Sequence, residues 1–168
     1  DKDKILQPHG VEPLSKEFAE TKLKEIFSRY PNRTIKQVLM DQALIAGLGN
    51  IYTDEACFLS GLRPDRKVNT LSKKDTAKLR NSIQAVLKLS IRKKGTSARN
   101  YVTATGTPGG FVAHLHVYGR EKEDCKICGT KISKMKHAGR GTHFCERCQR
   151  WLEFGKFKYS HPGRDRDI

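Results

Sequence analysis

The chain has 168 residues, with 33 lysines and arginines against 18 acidic residues, which gives a formal net charge of +15. This length suits one domain or two small ones, and the charge exceeds the roughly 2–8 that keeps a small domain soluble. No apolar run approaches the ~18 residues of a membrane span, and no secretory signal opens the chain. We therefore expect a polyanionic partner, and an acidic membrane surface is the weaker alternative because no segment combines a basic face with a broad apolar one.

The chain opens with a linker, and the first helix follows it. Residues 1–12 include Pro8 and Gly10 and predict a linker or hinge. The first helix is expected to begin near Ser15, a residue that can cap it, and to end at Pro31. Its apolar side chains fall on one helical face; these are Phe18, Leu23, Ile26, Phe27 and Tyr30.

Three further helices are predicted between residues 34 and 95. A short one follows Thr34, and a longer one covers residues 51–59 after a turn marked by glycines and ends at Gly61. A fourth begins at Ser72, which together with Asp75 resembles a capping box. Gly95 lies where its C-terminus is expected.

The character of the sequence changes after the fourth helix. Residues 95–110 hold four glycines, four threonines and a proline, a composition that predicts a loop. Apolar and polar residues then alternate over 111–117, which is typical of a strand. After the cysteine-rich stretch, the tail is basic with a few aromatic residues, and its role is not evident from the sequence.

A metal site is the strongest local signal. Two C-x-x-C pairs are separated by sixteen residues, and their members are Cys125, Cys128, Cys145 and Cys148. Each pair can bring two thiolates to one cation, and two such turns joined by a hairpin complete a tetrahedral shell with no open position. The spacing therefore predicts one structural Zn²⁺.

Other interpretations of these residues remain open at this stage. The four cysteines could form two disulfides, although the chain lacks secretory features, and iron–sulfur ligation is a minor alternative. His137 and His143 could be ligands, but with four cysteines present they are expected to lie on the surface or to face phosphates. The fifth cysteine, Cys57, is expected to be a small buried apolar residue.

Three stretches together carry a family resemblance. They are KQVLMDQALIAGLGNIY over 36–52, the loop KKGTSARNYVTATGTPGGF followed by VYGR over 93–120, and GRGTHFCERC over 139–148. In this order they resemble the C-terminal half of formamidopyrimidine-DNA glycosylases and the related endonuclease VIII family. The resemblance extends from about Val11 to Gln149.

The resemblance implies a mainly α fold with a small β zinc ribbon. A helix-two-turn-helix bundle would occupy residues 13–120 and include a lesion-recognition loop at 95–110. A four-cysteine zinc β-hairpin would follow at 121–150, with a tail of unknown role at 151–168. Residues 1–12 would then be the linker from an N-terminal catalytic domain that the chain does not include.

The resemblance also implies a set of DNA-binding residues, namely Lys36, Asn50, Arg99, Tyr118 and Arg140. Asn50 and Lys36 would hold phosphates on either side of a lesion, and Arg140 would clamp a phosphate of the damaged strand through its planar fork. Backbone N–H groups at a helix N-terminus beside Asn50 would contribute to the same cradle. The alternatives are a plain N-cap for Asn50, a solvated Lys36 and an unpartnered surface arginine at position 140.

For function, the resemblance implies base-excision repair of damaged double-stranded DNA. The full glycine- and threonine-rich loop favours the branch that removes oxidised purines, namely 8-oxoguanine and formamidopyrimidines, by flipping the damaged nucleotide out of the stack. The family's enzymes are bifunctional glycosylase/AP lyases that use an N-terminal proline and an adjacent glutamate. Neither the proline nor the glutamate matches a position here, so no catalytic residue is assigned and the chain alone is expected to be inactive. Glu55 is expected to have a structural role.

A non-enzymatic zinc-ribbon module that binds DNA or RNA is the main alternative, and a non-catalytic descendant of such enzymes is another. The GLGNIY stretch together with the loop argues against a plain ribbon, which has no reason to contain either. We expect a monomer with no membrane partner. Its expected location is the cytoplasm or nucleoid of a bacterium, or the nucleus or an organelle of a eukaryote, and not the outside of a cell.

Overall fold

The computed structural model describes residues 9–93 and 110–150 of the chain. Helices dominate these residues, and an antiparallel two-stranded hairpin follows them. The elements are α1 (Glu20–Arg29), α2 (Ile35–Leu39), α3 (Asn50–Ser60), α4 (Lys73–Arg92), β1 (Ser133–His137) and β2 (Arg140–Phe144), with short 3₁₀ turns at Val68–Thr70 and Val112–His114. The mainly α fold with a small β-hairpin is thus confirmed. None of the helices in the described ranges has the length and hydropathy of a membrane span.

Local capping explains three of the helix boundaries. Thr34 and Ser72 each accept a hydrogen bond from the backbone of the third helical residue, and each forms a full capping box. Gly61 ends α3 in the left-handed conformation, with φ 73°, which glycine adopts without steric cost. These three predicted boundaries are confirmed.

The start predicted for α1 is wrong by one turn. The Ser15 hydroxyl donates to the carbonyl of Glu12 at 2.7 Å, so it closes a preceding turn instead of accepting from a helical N–H. The N-cap is Ala19, which has extended backbone angles and no capping side chain. Phe18 is nevertheless fully buried, so the apolar pattern predicted the core correctly even where it misplaced the boundary.

The strand predicted over residues 111–117 is also wrong. This segment contains the 3₁₀ turn, and Phe111, Leu115 and Val117 are its buried residues. The backbone N–H groups of residues 116–118 all donate to the carboxylate of Glu55. A buried side chain, and not a neighbouring strand, therefore accepts their hydrogen bonds.

Two hydrophobic clusters build the interior. The larger one unites the four helices with Phe111 and Leu115. The smaller one surrounds the cysteines, and its members are Phe58, Val117, Cys125, Ile132, Cys145 and Cys148. Because Phe58 lies on α3, this helix joins the bundle to the cysteine-rich module.

The end of the expected linker is attached to the bundle. Gly10 N donates to Gln42 O at 3.0 Å, and Val11 forms a parallel bridge with Ile45. A Cβ atom on Gly10 would lie 2.4 Å from backbone atoms of Leu44 and Ile45, so glycine alone permits this approach. The domain boundaries at 12 and 120 stay predictions, and residues 1–8, 94–109 and 151–168, which include Gly95 and Arg99, lie outside the described residues.

Candidate nucleic-acid interface

One face of α3 contacts the cysteine-rich module at several points. Asn50 Nδ2 donates to Gly141 O at 3.0 Å, and Asp54 Oδ2 accepts from His143 N at 3.0 Å. Phe58 lies in the cysteine cluster, and the carbonyl of Leu62 accepts from Gln149 Nε2 at 3.0 Å. Asn50, Asp54 and Phe58 recur every four residues, the spacing that places side chains on one face of a helix, and Leu62 follows just after the helix ends at Gly61.

The contacts at the N-terminal end of α3 meet the outer edge of β2. Gly141 and His143 are two residues apart on this strand, so their main-chain groups point in the same direction. The strand on their other side is β1. Toward α3, no strand of the described ranges pairs with this edge, and side chains of the helices supply its hydrogen bonds.

Lys36 lies beneath this edge. Its side chain is fully buried, and its Nζ donates to Asp54 Oδ1 at 2.8 Å, Thr142 Oγ1 at 2.7 Å and Gly141 O at 3.2 Å. Burial lowers the pKa of Lys36 from its usual value, the charge of Asp54 opposes this decrease, and the charge of Arg140 adds to it. The interpretation of Lys36 as a solvated lysine is therefore wrong.

Asn50 occupies the first turn of α3 and is not its N-cap. The N-cap is Gly49, and the structure shows no side-chain cap there. The interpretation of Asn50 as a plain N-cap is thus wrong. The side-chain Oδ1 of Asn50 is buried and has no hydrogen-bond partner among the described residues. Within residues 9–93 and 110–150, no side-chain cap covers the first N–H groups of α3, so this helix end carries a partial positive charge.

Arg140 is exposed directly beside this helix end. Ala138 and Gly139 form the two-residue turn of the hairpin, with φ 52° and 73°, and Arg140 pairs with His137 just below it. Since Asn50 bonds the carbonyl of Gly141, the next residue after Arg140, the two predicted phosphate ligands share one surface.

The two histidines of the hairpin have different environments. His143 is buried, with Nδ1 3.2 Å from Asp54 Oδ2 and Nε2 3.3 Å from Glu121 Oε2. The expectation that it lies on the surface or faces phosphates is wrong. His137 Nε2 lies 2.8 Å from Thr34 Oγ1, so it links the hairpin to the N-cap of α2.

Tyr118 is half-buried and stands at the side of this network. Its ring makes an edge contact with the ring of His143, with centroids 4.9 Å apart. The main chain of Tyr118 is held by Glu55, whose carboxylate accepts from its N–H at 3.0 Å. The expectation that Glu55 supports the structure is confirmed.

The metal centre is closed by four thiols. The Sγ atoms of Cys125, Cys128, Cys145 and Cys148 all lie within 4.8 Å of one another. The Cys125–Cys148 and Cys128–Cys145 sulfur pairs are 3.8 and 3.4 Å apart, and Zn–S bonds of about 2.3 Å place tetrahedral sulfurs roughly 3.8 Å from each other. The residues therefore fit one structural Zn²⁺. Neither His137 nor His143 is in this group, and Cys57 is fully buried elsewhere in the bundle core, as expected.

Sequence reasoning missed the buried carboxylate at the centre of the site. Asp54 is fully buried and contacts both Lys36 and His143. The signal that could have found it is its spacing: it lies four residues after Asn50, on the same helical face.

Family models match most of the described chain. Residues 9–101, more than half of the chain, match the formamidopyrimidine-DNA glycosylase H2TH domain. Residues 122–150 match the zinc finger found in FPG and IleRS.

Curated relatives match over the same stretch. Formamidopyrimidine-DNA glycosylase of Bacillus licheniformis is 43% identical over 86% of this chain and 52% of its own length. The enzyme of that name from Serratia proteamaculans is 45% identical over 87% of this chain and 54% of its own length. The chain thus spans about half the length of the curated relatives it matches.

Solved structures of similar proteins include complexes with DNA. A Lactococcus lactis FPG mutant with Fapy-dG containing DNA aligns with TM-score 0.78 and 37% identity, over 89% of this chain and 54% of the other. The Lactococcus lactis Fpg with DNA that contains an abasic site aligns with TM-score 0.78 and 38% identity over the same shares. MutM (FPG) from Thermus thermophilus aligns with TM-score 0.76 and 35% identity, over 88% of this chain and 56% of the other.

Proposed function

Since the chain belongs to the formamidopyrimidine-DNA glycosylase family, we propose that it is the DNA-binding part of a base-excision enzyme. The enzyme would remove oxidised purines, namely 8-oxoguanine and formamidopyrimidines, from duplex DNA. The observation that carries this proposal is the hydrogen bond from Asn50 Nδ2 to Gly141 O at 3.0 Å. It joins a helix N-terminus to the hairpin arginine on a single surface.

The chemistry of this surface suits the sugar-phosphate backbone. The N-terminus of α3 offers backbone N–H groups and a partial positive charge, which bind anions. Arg140 adds a permanent charge and paired donors that match a phosphate. On the ribbon the exposed Lys136 adds positive charge, whereas Lys131 and Lys134 are paired with Asp124 and Glu121.

We assign different roles to the other residues that were predicted to bind DNA. Tyr118 is half-buried next to the network and would contact the backbone at its margin. Lys36 supports the surface from below, because a direct phosphate contact would require its amine to leave one of three buried partners. Arg99 lies outside the described residues, and its role rests on the resemblance alone.

The lesion class and the chemistry are proposed on narrower grounds. The glycine- and threonine-rich loop at 95–110 supports oxidised purines, and the Lactococcus lactis relative was solved with Fapy-dG containing DNA. We assign catalysis, including the AP lyase step, to residues that this chain does not contain, since none of its described side chains matches the family's proline and glutamate. Release of 8-oxoguanine from duplex DNA by this chain alone would contradict that assignment.

The proposal also covers the partner, the assembly and the location. We propose damaged double-stranded DNA as the partner and a monomer as the binding unit, with Arg140 and Asn50 of one chain on one duplex. We also propose that the protein acts in a compartment that holds DNA, which is the cytoplasm or nucleoid in bacteria and the nucleus or an organelle in eukaryotes.

The substitution Arg140→Ala tests the proposal. Loss of one phosphate contact should weaken binding to a duplex that carries an abasic-site analogue, and the slope of log K against log salt should become shallower by about 1. Fluorescence anisotropy over a salt series measures both quantities. Unfolding by urea should be unchanged, because Arg140 is exposed.

A matched control removes the same charge from another element. Arg29, which is exposed on α1 with 63% of its side chain accessible, should tolerate Arg29→Ala without a change in salt slope. An equal loss of affinity in both variants would mean that DNA binding depends on overall positive charge and not on a specific contact at Arg140. Binding of single-stranded RNA as tightly as duplex DNA would favour a plain zinc-ribbon module.

A further inference from the structure

The outer edge of β2 is satisfied by helix side chains. An edge strand presents unpaired N–H and C=O groups that proteins must cover. Here the carbonyl of Gly141 accepts from Asn50 and Lys36, and the N–H of His143 donates to Asp54. Side chains of α2 and α3 thus take the place of a third strand.

Asp54 makes the central contacts of this edge. Its carboxylate is fully buried; Oδ1 accepts from Lys36 Nζ at 2.8 Å, and Oδ2 accepts from the His143 N–H at 3.0 Å and lies 3.2 Å from His143 Nδ1. One side chain therefore ties α2, α3 and β2 together. A carboxylate that receives charge-assisted and backbone hydrogen bonds in a buried site holds its partners in a narrow range of geometry.

The metal does not hold this end of the hairpin by itself. Arg140 precedes the ligand Cys145 by five residues, which corresponds to roughly 16 Å of extended strand. The small core around the cysteines is joined to α3 at Phe58, one turn beyond Asp54. Contacts near the turn must therefore set the distance between Arg140 and the N-terminus of α3.

We infer that Asp54 is a positioning residue: together with Lys36 it fixes the outer edge of β2 on α3 and so holds Arg140 in place beside Asn50. The DNA part of this inference rests on the proposed function. The role of Asp54 in fixing β2 on α3 does not depend on that function, because it concerns the protein without DNA.

The substitution Asp54→Asn tests this role. An asparagine of the same shape must turn an NH₂ group toward either Lys36 or the His143 N–H, both of which are donors. In the zinc-loaded chain, hydrogen exchange of the His143 amide should become about tenfold faster or more, relative to amides of the β1–β2 ladder. The nuclear Overhauser contact between the Asn50 side-chain amide and the Gly141 α-protons should weaken, while one zinc per chain is retained.

Asp75 supplies the matched control. It is equally a buried carboxylate, 4% exposed, and accepts from Arg66 at 3.3 Å and from the Ser72 N–H at 3.1 Å. Asp75→Asn should lower stability without a selective effect at His143 or at the Asn50–Gly141 contact. Equal effects of the two variants at these positions, or none from Asp54→Asn, would overturn the inference.

A second variant covers the case in which Asp54→Asn does not fold because Lys36 is left as a buried unpaired charge. The double substitution Lys36→Met with Asp54→Leu replaces the pair by apolar groups, an exchange that buried ion pairs often tolerate. It should fold, bind one zinc and still show the fast exchange at His143. Retained protection at His143 in this variant would contradict the inference.

DNA binding distinguishes a failure of the proposed function from a failure of the role of Asp54. If the wild-type chain binds the abasic-site duplex, a hairpin released from Asp54 should lose the Arg140 contact, and the salt slope should fall by about 1. An unchanged slope would overturn the role of Asp54 in placing Arg140. If the wild-type chain does not bind, the proposed function fails, and the exchange and Overhauser measurements still decide whether Asp54 holds the hairpin.

Discussion

At the scale of single residues, His137 connects the turn end of the hairpin to the helices. Its Nε2 lies 2.8 Å from Thr34 Oγ1, and the same oxygen accepts from Gln37 N at 3.3 Å as the cap of α2. Burial lowers the pKa of His137 from its ordinary value of 6.5; the charge of Asp65 opposes the decrease, and that of Lys36 adds to it. As the pH falls through 6.5, the unfolded chain consequently takes up a proton at this group before the folded chain does.

The sign of this difference leads to a prediction for His137→Gln. Because the unfolded state gains protons on acidification, His137 should lower the free energy of unfolding as the pH falls below the ordinary histidine value. Glutamine can still bond Thr34 but does not titrate, so the variant should lose less stability than wild type between about pH 7.5 and about pH 5.5. Urea unfolding of the zinc-loaded proteins measures it, and His114→Gln, at an exposed histidine, is the control. Parallel pH profiles for wild type and His137→Gln would show that His137 does not contribute.

At the scale of elements, Glu55 builds the connection between α3 and the segment that leads into the ribbon. It is 3% exposed, and its carboxylate accepts from the N–H groups of His116, Val117 and Tyr118 at 2.8 to 3.0 Å. Three consecutive backbone donors that converge on one carboxylate hold this segment in a fixed conformation, and no strand among the described residues pairs with it.

Glu55→Gln should loosen that connection. The amide side chain can accept at one oxygen, but its NH₂ group faces backbone donors, so we expect a loss of about 1–3 kcal/mol in the free energy of unfolding. Denaturant unfolding measures this loss. Glu25→Gln on α1, where the side chain is 52% exposed, should change stability little. A variant at position 55 as stable as wild type would mean that water or a neighbouring group replaces the carboxylate.

At the scale of the whole molecule, we expect the two cores to depend on the metal to different degrees. The bundle core contains none of the four ligands, whereas all four lie in or against the smaller cluster. Thiolate ligands without a metal repel one another, and binding of zinc is coupled to folding of such small modules.

Removal of zinc by a chelator should therefore unfold the ribbon and leave the helices. Helical circular dichroism should be largely retained, amide signals of β1 and β2 should lose their dispersion, and affinity for duplex DNA should fall because Arg140 is released. Cys145→Ser should reproduce this result, while Cys57→Ala, at a buried cysteine outside the metal group, should still bind one zinc. A hairpin that persists in the chelated protein would show that α3 suffices to hold it.

The sequence by itself determined the features that depend on local pattern. The two capping boxes, the glycine that ends α3, the apolar faces of the helices and the four cysteine ligands all follow from residues close together in the chain. Short-range spacing specifies such features, because the interacting groups are neighbours before the chain folds.

Only the tertiary structure decided the features that depend on distant partners. Alternation over 111–117 predicted a strand, but a carboxylate some sixty positions away, that of Glu55, takes its backbone donors. Lys36 and His143 look like surface groups by composition, yet both are buried because Asp54 lies between them. A charged side chain can leave water only where a partner is present, and which partner is present is settled when α3 and the hairpin meet.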